Sequence, residues 1–227
     1  MESSQRGQGW TVNIRPSRQR VIWLVRHGET DWNRLGTVQG HQDAPRLTAR
    51  GSRQAERAAT LLADLPVEAL YSSDLRRATS TAAVIADRLG RAAVIDDRLR
   101  ERSLGVFEGS PVGALAPADT GLKDGRIVCP SARPPGGESL EDVYRRCRSF
   151  AASVASSVPT GDVVVVAHGG SLRMLGAALT GADVDGMRWE QVPNGSVRRV
   201  AVPVGAREVV PGAGAGHPDV TAEGEAP

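Results

Sequence analysis

Long apolar runs are absent from these 227 residues. None reaches the ~18 consecutive residues that a membrane-spanning helix needs. The arginine-containing start of the chain also lacks the hydrophobic segment of a secretory leader. A charge excess of one sign is missing too. Twenty-eight basic residues stand against 26 acidic ones, scattered rather than striped, so neither nucleic acid nor a membrane is an expected partner. Cysteine is scarce: Cys129 and Cys147 cannot make a disulfide framework, which fits a reduced, cytoplasmic protein. Lys123 is the only lysine; every other basic residue is arginine.

What is present is enough chain for one substantial core. Residues 1–20, rich in Ser, Gln, Gly and Arg, read as a flexible N-terminal arm, and residues 205–227, rich in Gly, Pro and Ala, as a disordered tail that holds His217. Between them a domain over 21–204 is expected. Strands are expected at Val21–Val25, Ala69–Tyr71, Ala93–Ile95, Val163–Ala167 and Val197–Val202. Thr48 is placed to cap a helix running to about Ala63. Leu75, Ala78, Ala82, Ile85 and Leu89 recur at helical spacing, in a helix entered near Asp74. The "SLED" of Ser139–Asp142 has the form of a capping box before a buried stripe of Leu140, Val143, Cys147, Phe150 and Val154. Apolar strands separated by helices predict an α/β fold of three layers, a mainly parallel central sheet with helices on both faces. Residues 98–137 show little periodicity and many Gly and Pro, the character of a lid or substrate loop.

Chemistry collects at the strand ends. Val21–Val25 runs directly into Arg26-His27-Gly28, and Val163–Ala167 into His168-Gly169-Gly170. In open α/β sheets that edge is where ligands bind. "SSDLRRATSTA" (72–82) puts Arg76 and Arg77 in the first turn of a helix, where free N–H groups also favour an anion. "RLRERSLGVFEG" (98–109) brings Glu101 and Glu108 to the same edge, and a carboxyl beside an anion can serve as a general acid. Two imidazoles, two arginine sources and helix N-termini aimed at one crevice point to phosphate.

The motifs, in order, resemble those of the histidine phosphatase superfamily, also called phosphoglycerate mutase-like. Arg26-His27-Gly28-Glu29-Thr30 with Asn33 and then Gln39-Gly40 is similar to its first signature, "SSDLRRATSTA" to its second and "LRERSLGVFEG" to its third. "PPGGES" and "VVVVAHGGSLRML" complete the order. The resemblance implies that His27 attacks phosphorus, that Arg26, Arg77 and His168 grip the phosphoryl oxygens, and that Glu101 moves the leaving-group proton. It implies phosphate or substrate contacts from Asn33, Gln39, Gly40 and Gly169, leaves Arg76 in solvent, and requires no metal and no other cofactor. The expected partner is a small phosphorylated metabolite; a homodimer is left open. Two readings from other classes compete, a metal hydrolase using His27 and His168 as ligands and a binding module for phosphorylated ligands. Within the family the short loop from Ser110 to Pro135, without an aromatic ring, favours a phosphatase over a phosphoglycerate mutase. Phe107 for the usual tryptophan, Arg46 after Pro45, and His41 near the pocket mouth depart from the pattern.

Overall fold

The computed structural model describes residues 19–158 and 161–203. Its centre is a five-stranded sheet in the order β3-β2-β6-β1-β7. The strands are β1 (Gln19–Arg26), β2 (Val67–Ser72), β3 (Ala93–Ile95), β6 (Asp162–Ala167) and β7 (Val197–Pro203). The first four run parallel and β7 closes one edge antiparallel to β1. Among the helices are α1 (Asp31–Leu35), α2 (Ala49–Leu62), α3 (Arg76–Leu89), α5 (Leu140–Ser157) and α6 (Gly169–Thr180).

The middle strand explains the three layers. Val163, Val165 and Ala167 pack with Leu140, Val143, Cys147 and Phe150 of α5 and Leu172 and Leu175 of α6. Val164 and Val166 point the other way, onto Ala58 and Leu62 of α2 and Ala78, Ala82 and Ile85 of α3. A strand buried on both faces needs an unbroken apolar run, which is what these valines supply. The fold is therefore the expected α/β sandwich of helix, parallel sheet and helix. Cys147 is a buried thiol whose pKa burial pushes up to about 12.

Local signals set the helix starts. Thr48 accepts from Gly51 N and caps α2, and Ser139 and Asp142 form the capping box of α5. Helix α3 begins at Arg76, with Arg76 and Arg77 in its first turn as expected, and the Asp74 carboxylate just before it accepts from Arg100 at 2.9 and 3.0 Å. Helix α1 was not anticipated; a second capping box, Thr30 with Asn33, starts it and Gly36 in the left-handed region ends it.

The boundary drawn at Arg20 is corrected. Gln19 and Arg20 belong to β1, paired with Pro203 and Val202 of β7, and the buried Arg20 guanidinium donates to the Val154 carbonyl at 3.2 Å. Backbone pairing decides the strand end here, so a polar sequence gives no sign of it. The rest of the N-terminal arm, the tail and His217 lie outside the described residues. Residues 98–137 carry more order than a bare loop. They hold 3-10 turns at Gly105–Phe107 and Val112–Ala114, a short helix α4 (Pro117–Thr120) and a hairpin of β4 (Leu122–Lys123) and β5 (Arg126–Ile127). Among the described residues no helix is long and apolar enough to cross a membrane.

Candidate active site

The sheet order makes the site. Strands β1 and β2 lie on either side of β6, so residues following β1 and β6, and the start of α3 beyond β2, meet at one carboxyl edge. A cavity of about 440 Å³ opens there.

His27 closes β1, its backbone N–H donating to Ala167 O at 3.0 Å. Its side chain is 3% exposed, and Nδ1–H donates to the Gly28 carbonyl at 2.8 Å, which leaves the Nε2 lone pair as the ring's reactive edge. Burial, then the charges of Arg77 and Arg26, hold its pKa well below 6.5, so the imidazole is neutral at pH 7. His168 is fully buried and its ring centroid lies 5.1 Å from that of His27. Burial and Arg77 lower its pKa well below 6.5 as well. Its Nε2–H donates to Ser73 Oγ at 2.9 Å and its Nδ1 accepts from Arg77 Nε at 3.2 Å. Both ring nitrogens are thus engaged by protein groups, and His168 stands behind the cavity wall, where it orients Arg77.

Arg77 is 1% exposed. Besides His168 it donates to the carbonyls of Gly40 at 2.7 Å and Gln42 at 2.8 Å. Burial lowers its pKa to about 10, which still leaves a full positive charge. Its neighbour Arg76 is exposed and pairs with Asp43, as expected. Arg26 donates to Val192 O while its buried Nε has no partner. Gln39 faces the cavity with a buried, unpartnered Oε1. Asn33 is fixed by its carbonyl oxygen, which accepts from Thr30 N, Thr30 Oγ1 and Asn194 Nδ2 at 3.0–3.1 Å. That leaves its amide N–H groups as donors to the cavity it lines.

Glu101 is the one carboxylate on the cavity wall. Its oxygens accept from Gly170 N at 2.9 Å, Ser171 N at 3.1 Å and Arg102 N at 2.9 Å, capping the start of α6. A β-carbon on Gly170 would sit 2.3 Å from Glu101 Oε1, so a side chain there would expel the carboxylate. Glu108 does something else. It accepts from His41 N, Leu104 N, Ser103 Oγ and Gln42 Nε2, stapling two loops together away from the cavity. His41 also has a bracing place, its Nε2 2.7 Å from the Glu101 carbonyl. The Arg46 guanidinium donates to carbonyls of its own loop, and its backbone exchanges hydrogen bonds with Asp31.

Arg26, His27, Asn33, Gln39, Gly40, Arg77, Glu101 and Gly169 therefore line one cavity, with His168 one layer behind. Sequence reading missed the segment 188–195. Asn194 donates to His27 O at 3.2 Å and to Asn33, Val192 O takes Arg26, and Glu190 O takes Arg173. Arg173 also lines the cavity; its place four residues after Gly169 on α6 was the signal available. Arg102 was missed as well. It hangs residues 119–138 on one guanidinium, donating to Asp119, Thr120, Ala132 and Glu138 carbonyls at 2.7–3.0 Å. Among the described residues no three or more His, Cys, Asp or Glu gather as a metal would need.

A family model described as histidine phosphatase superfamily (branch 1) matches residues 22–210. The chain belongs to the histidine phosphatase superfamily. Among curated relatives, a protein named probable phosphoglycerate mutase GpmB from Escherichia fergusonii is 35% identical over 187 residues, covering 79% of this chain and 83% of that one. Among solved structures, a mycobacterial glucosyl-3-phosphoglycerate phosphatase superimposes with a TM-score of 0.69 at 33% identity, over 81% of this chain and 91% of the other. Its complex with VO3 gives a TM-score of 0.71 at 34% identity, over 79% and 90%. The superfamily expected from the sequence is thereby established, and its members' names divide between mutase and phosphatase.

Proposed function

We propose that this protein is a metal-independent phosphatase that hydrolyses a small-molecule phosphate monoester through a phosphohistidine intermediate. The observation that carries the reading is His27. It is neutral, has Nδ1–H fixed on a backbone carbonyl, and stands at a cavity where Arg26, Arg77 and the start of α6 meet. In this mechanism Nε2 attacks phosphorus and the bond to the ester oxygen breaks. Glu101, among the described residues the only carboxyl lining the cavity, takes the proton that the phosphate monoester monoanion brings, releasing one of the N–H groups it accepts from. It passes that proton to the departing alcohol. Water then attacks the phosphohistidine, loses its proton to Glu101, and frees phosphate as the P–N bond breaks. Arg26 and Arg77 offset the charge on the phosphoryl oxygens, and His168 keeps Arg77 in register. With arginines supplying the positive charge, no step needs a metal.

Hydrolysis is favoured over phosphoryl exchange by the insert. Its cavity-facing residues Val112, Leu115 and Leu122 are hydrocarbon and Thr120 is neutral. Its cations turn elsewhere: Arg126 donates to Gly186 O, Arg133 pairs with Asp142, and Lys123 is exposed. A bisphosphorylated intermediate would find no cation of the insert at that end, and the Arg102 guanidinium there is already taken up by four carbonyls. The second reading, a phosphoglycerate mutase, rests on the name of the Escherichia fergusonii relative.

The test is p-nitrophenyl phosphate hydrolysis with EDTA present. Turnover unaffected by EDTA and reduced at least 1,000-fold in His27→Ala is expected. Mutase activity on phosphoglycerate with no net phosphate release would overturn the hydrolytic reading.

A further inference from the structure

Arg173 has no task in the chemistry above. Its Nε donates to Glu190 O at 2.6 Å, and its guanidinium lies over the Trp189 ring, 4.0 Å from the centroid. These two contacts hold the plane of the group by one edge and one face. Its terminal amino groups, Nη1 and Nη2, have no hydrogen-bond partner among the described residues, and the residue lines the cavity. Arg102, also on the wall, shows the contrast: its guanidinium is taken up by four backbone carbonyls.

The direction of the free edge can be read from Gly169. A β-carbon built on that glycine would lie 3.4 Å from Arg173 Nη1 and 3.6 Å from Arg26 Nε, itself unpartnered. Two guanidinium groups therefore stand over one glycine, at the start of α6, where the N–H groups of Gly170 and Ser171 are already taken by Glu101. Burial lowers the Arg173 pKa to about 10, with Arg26 adding repulsion and Glu101 opposing it. An anion that comes between like charges so placed offsets their repulsion. Arg26 and Arg77 already match the two charges of a phosphate monoester, so Arg173 is a positive charge beyond that match.

We propose that Arg173 is a substrate-binding residue, a third guanidinium whose forked edge takes an oxyanion carried by the substrate beside the phosphoryl seat. The oxyanion is either an oxygen of the phosphoryl group or a carboxylate on the alcohol half; a planar fork suits both. The proposal rests on the phosphate-binding reading of this cavity, and binding measurements keep the two separable because they need no turnover. The experiment is calorimetric titration of full-length His27→Ala, alone and combined with Arg173→Ala or Arg173→Lys. The probes are inorganic phosphate, ethyl phosphate and phosphoglycolate, the last two differing by one carboxylate.

If the fork takes the phosphoryl group, Arg173→Ala weakens all three at least tenfold. If it takes a carboxylate, only phosphoglycolate weakens tenfold, and ethyl phosphate and inorganic phosphate stay within twofold. Arg173→Lys, which keeps the charge and loses the fork, should fall between. A loss of less than twofold for every probe would overturn the proposal and leave Arg173 as a brace for Trp189 and Glu190, whereas failure of all three to bind with Arg173 present would overturn the phosphate-binding reading and the proposal with it. Failure of the phosphatase reading would show separately, as absent wild-type turnover with phosphate binding intact.

Discussion

The floor of the cavity and its outer wall are held by different means. On the floor, His27 and Gly169 sit at the ends of β1 and β6, and Arg77 in the first turn of α3. His27 Nδ1 is fixed by a backbone carbonyl and the Arg77 guanidinium by His168 and two more carbonyls, which leaves His27 Nε2 free. The outer wall is hydrocarbon from the insert, and much of it hangs on one side chain, Arg102. The floor should therefore set the chemistry and tolerate almost no change. The wall should set which alcohol is accepted, and changes there should appear first in KM.

The largest contrast lies within one dipeptide. Arg77→Ala takes the donor from the carbonyls of Gly40 and Gln42 and frees the His168 ring, and under the proposed mechanism it also removes a phosphoryl contact. A fall of about 100- to 1,000-fold in kcat/KM is expected. Arg76→Ala, one residue away, breaks only an exposed pair with Asp43 and should leave kcat/KM within about twofold. Steady-state kinetics on p-nitrophenyl phosphate decides this, and equal losses would mean the floor is not arranged around Arg77.

Next comes Glu101, the proposed proton donor to the leaving group. Glu101→Gln cannot accept at both oxygens from Gly170, Ser171 and Arg102, so about 1–2 kcal/mol of stability should be lost. Its kinetic mark is leaving-group dependence. Alkyl phosphates should slow about 100-fold more than p-nitrophenyl phosphate, whose alcohol departs with little protonation. Glu108→Gln, which loosens only the loop staple, should slow both classes equally.

These roles were not equally visible beforehand. His27 and His168 could be read because unbroken apolar runs end on them, and a strand buried on both faces has a recognisable composition. The tie from His168 to Ser73 could not, since 95 residues separate them. Arg102 and Asn194 were hidden for a further reason: their partners include backbone carbonyls, which every residue owns and no motif marks. Arg173 was within the quoted motif, yet its role depends on Trp189 coming to it from a loop with no periodicity. Even the start of β1 at Gln19 was set by pairing with β7 and by no apolar residue.

The buried imidazoles give the floor a pH signature that the wall lacks. Both His27 and His168 have folded pKa values well below 6.5, against about 6.5 when unfolded. Below that pH the unfolded chain binds more protons than the folded one, so stability is complete above about pH 6.5 and lost as the pH falls. The melting temperature should drop between pH 7.5 and 5.5, and drop less in His168→Gln. Activity has the same sign, since protonating His27 removes its lone pair. kcat/KM for an aryl phosphate should hold level from pH 7.5 through 6.5 and decline only below.

The smallest effect belongs to the wall. Leu122 borders the cavity and is half-buried in the first strand of the hairpin. Leu122→Ser removes hydrocarbon worth about 1 kcal/mol if substrate covers it, a fivefold rise in KM for an aryl phosphate. kcat and the inhibition constant of inorganic phosphate should not move, because neither requires an alcohol on the wall. A change in phosphate inhibition equal to the change in KM would show that wall and floor act as one unit, with Arg102 transmitting the disturbance to Glu101 through their shared backbone.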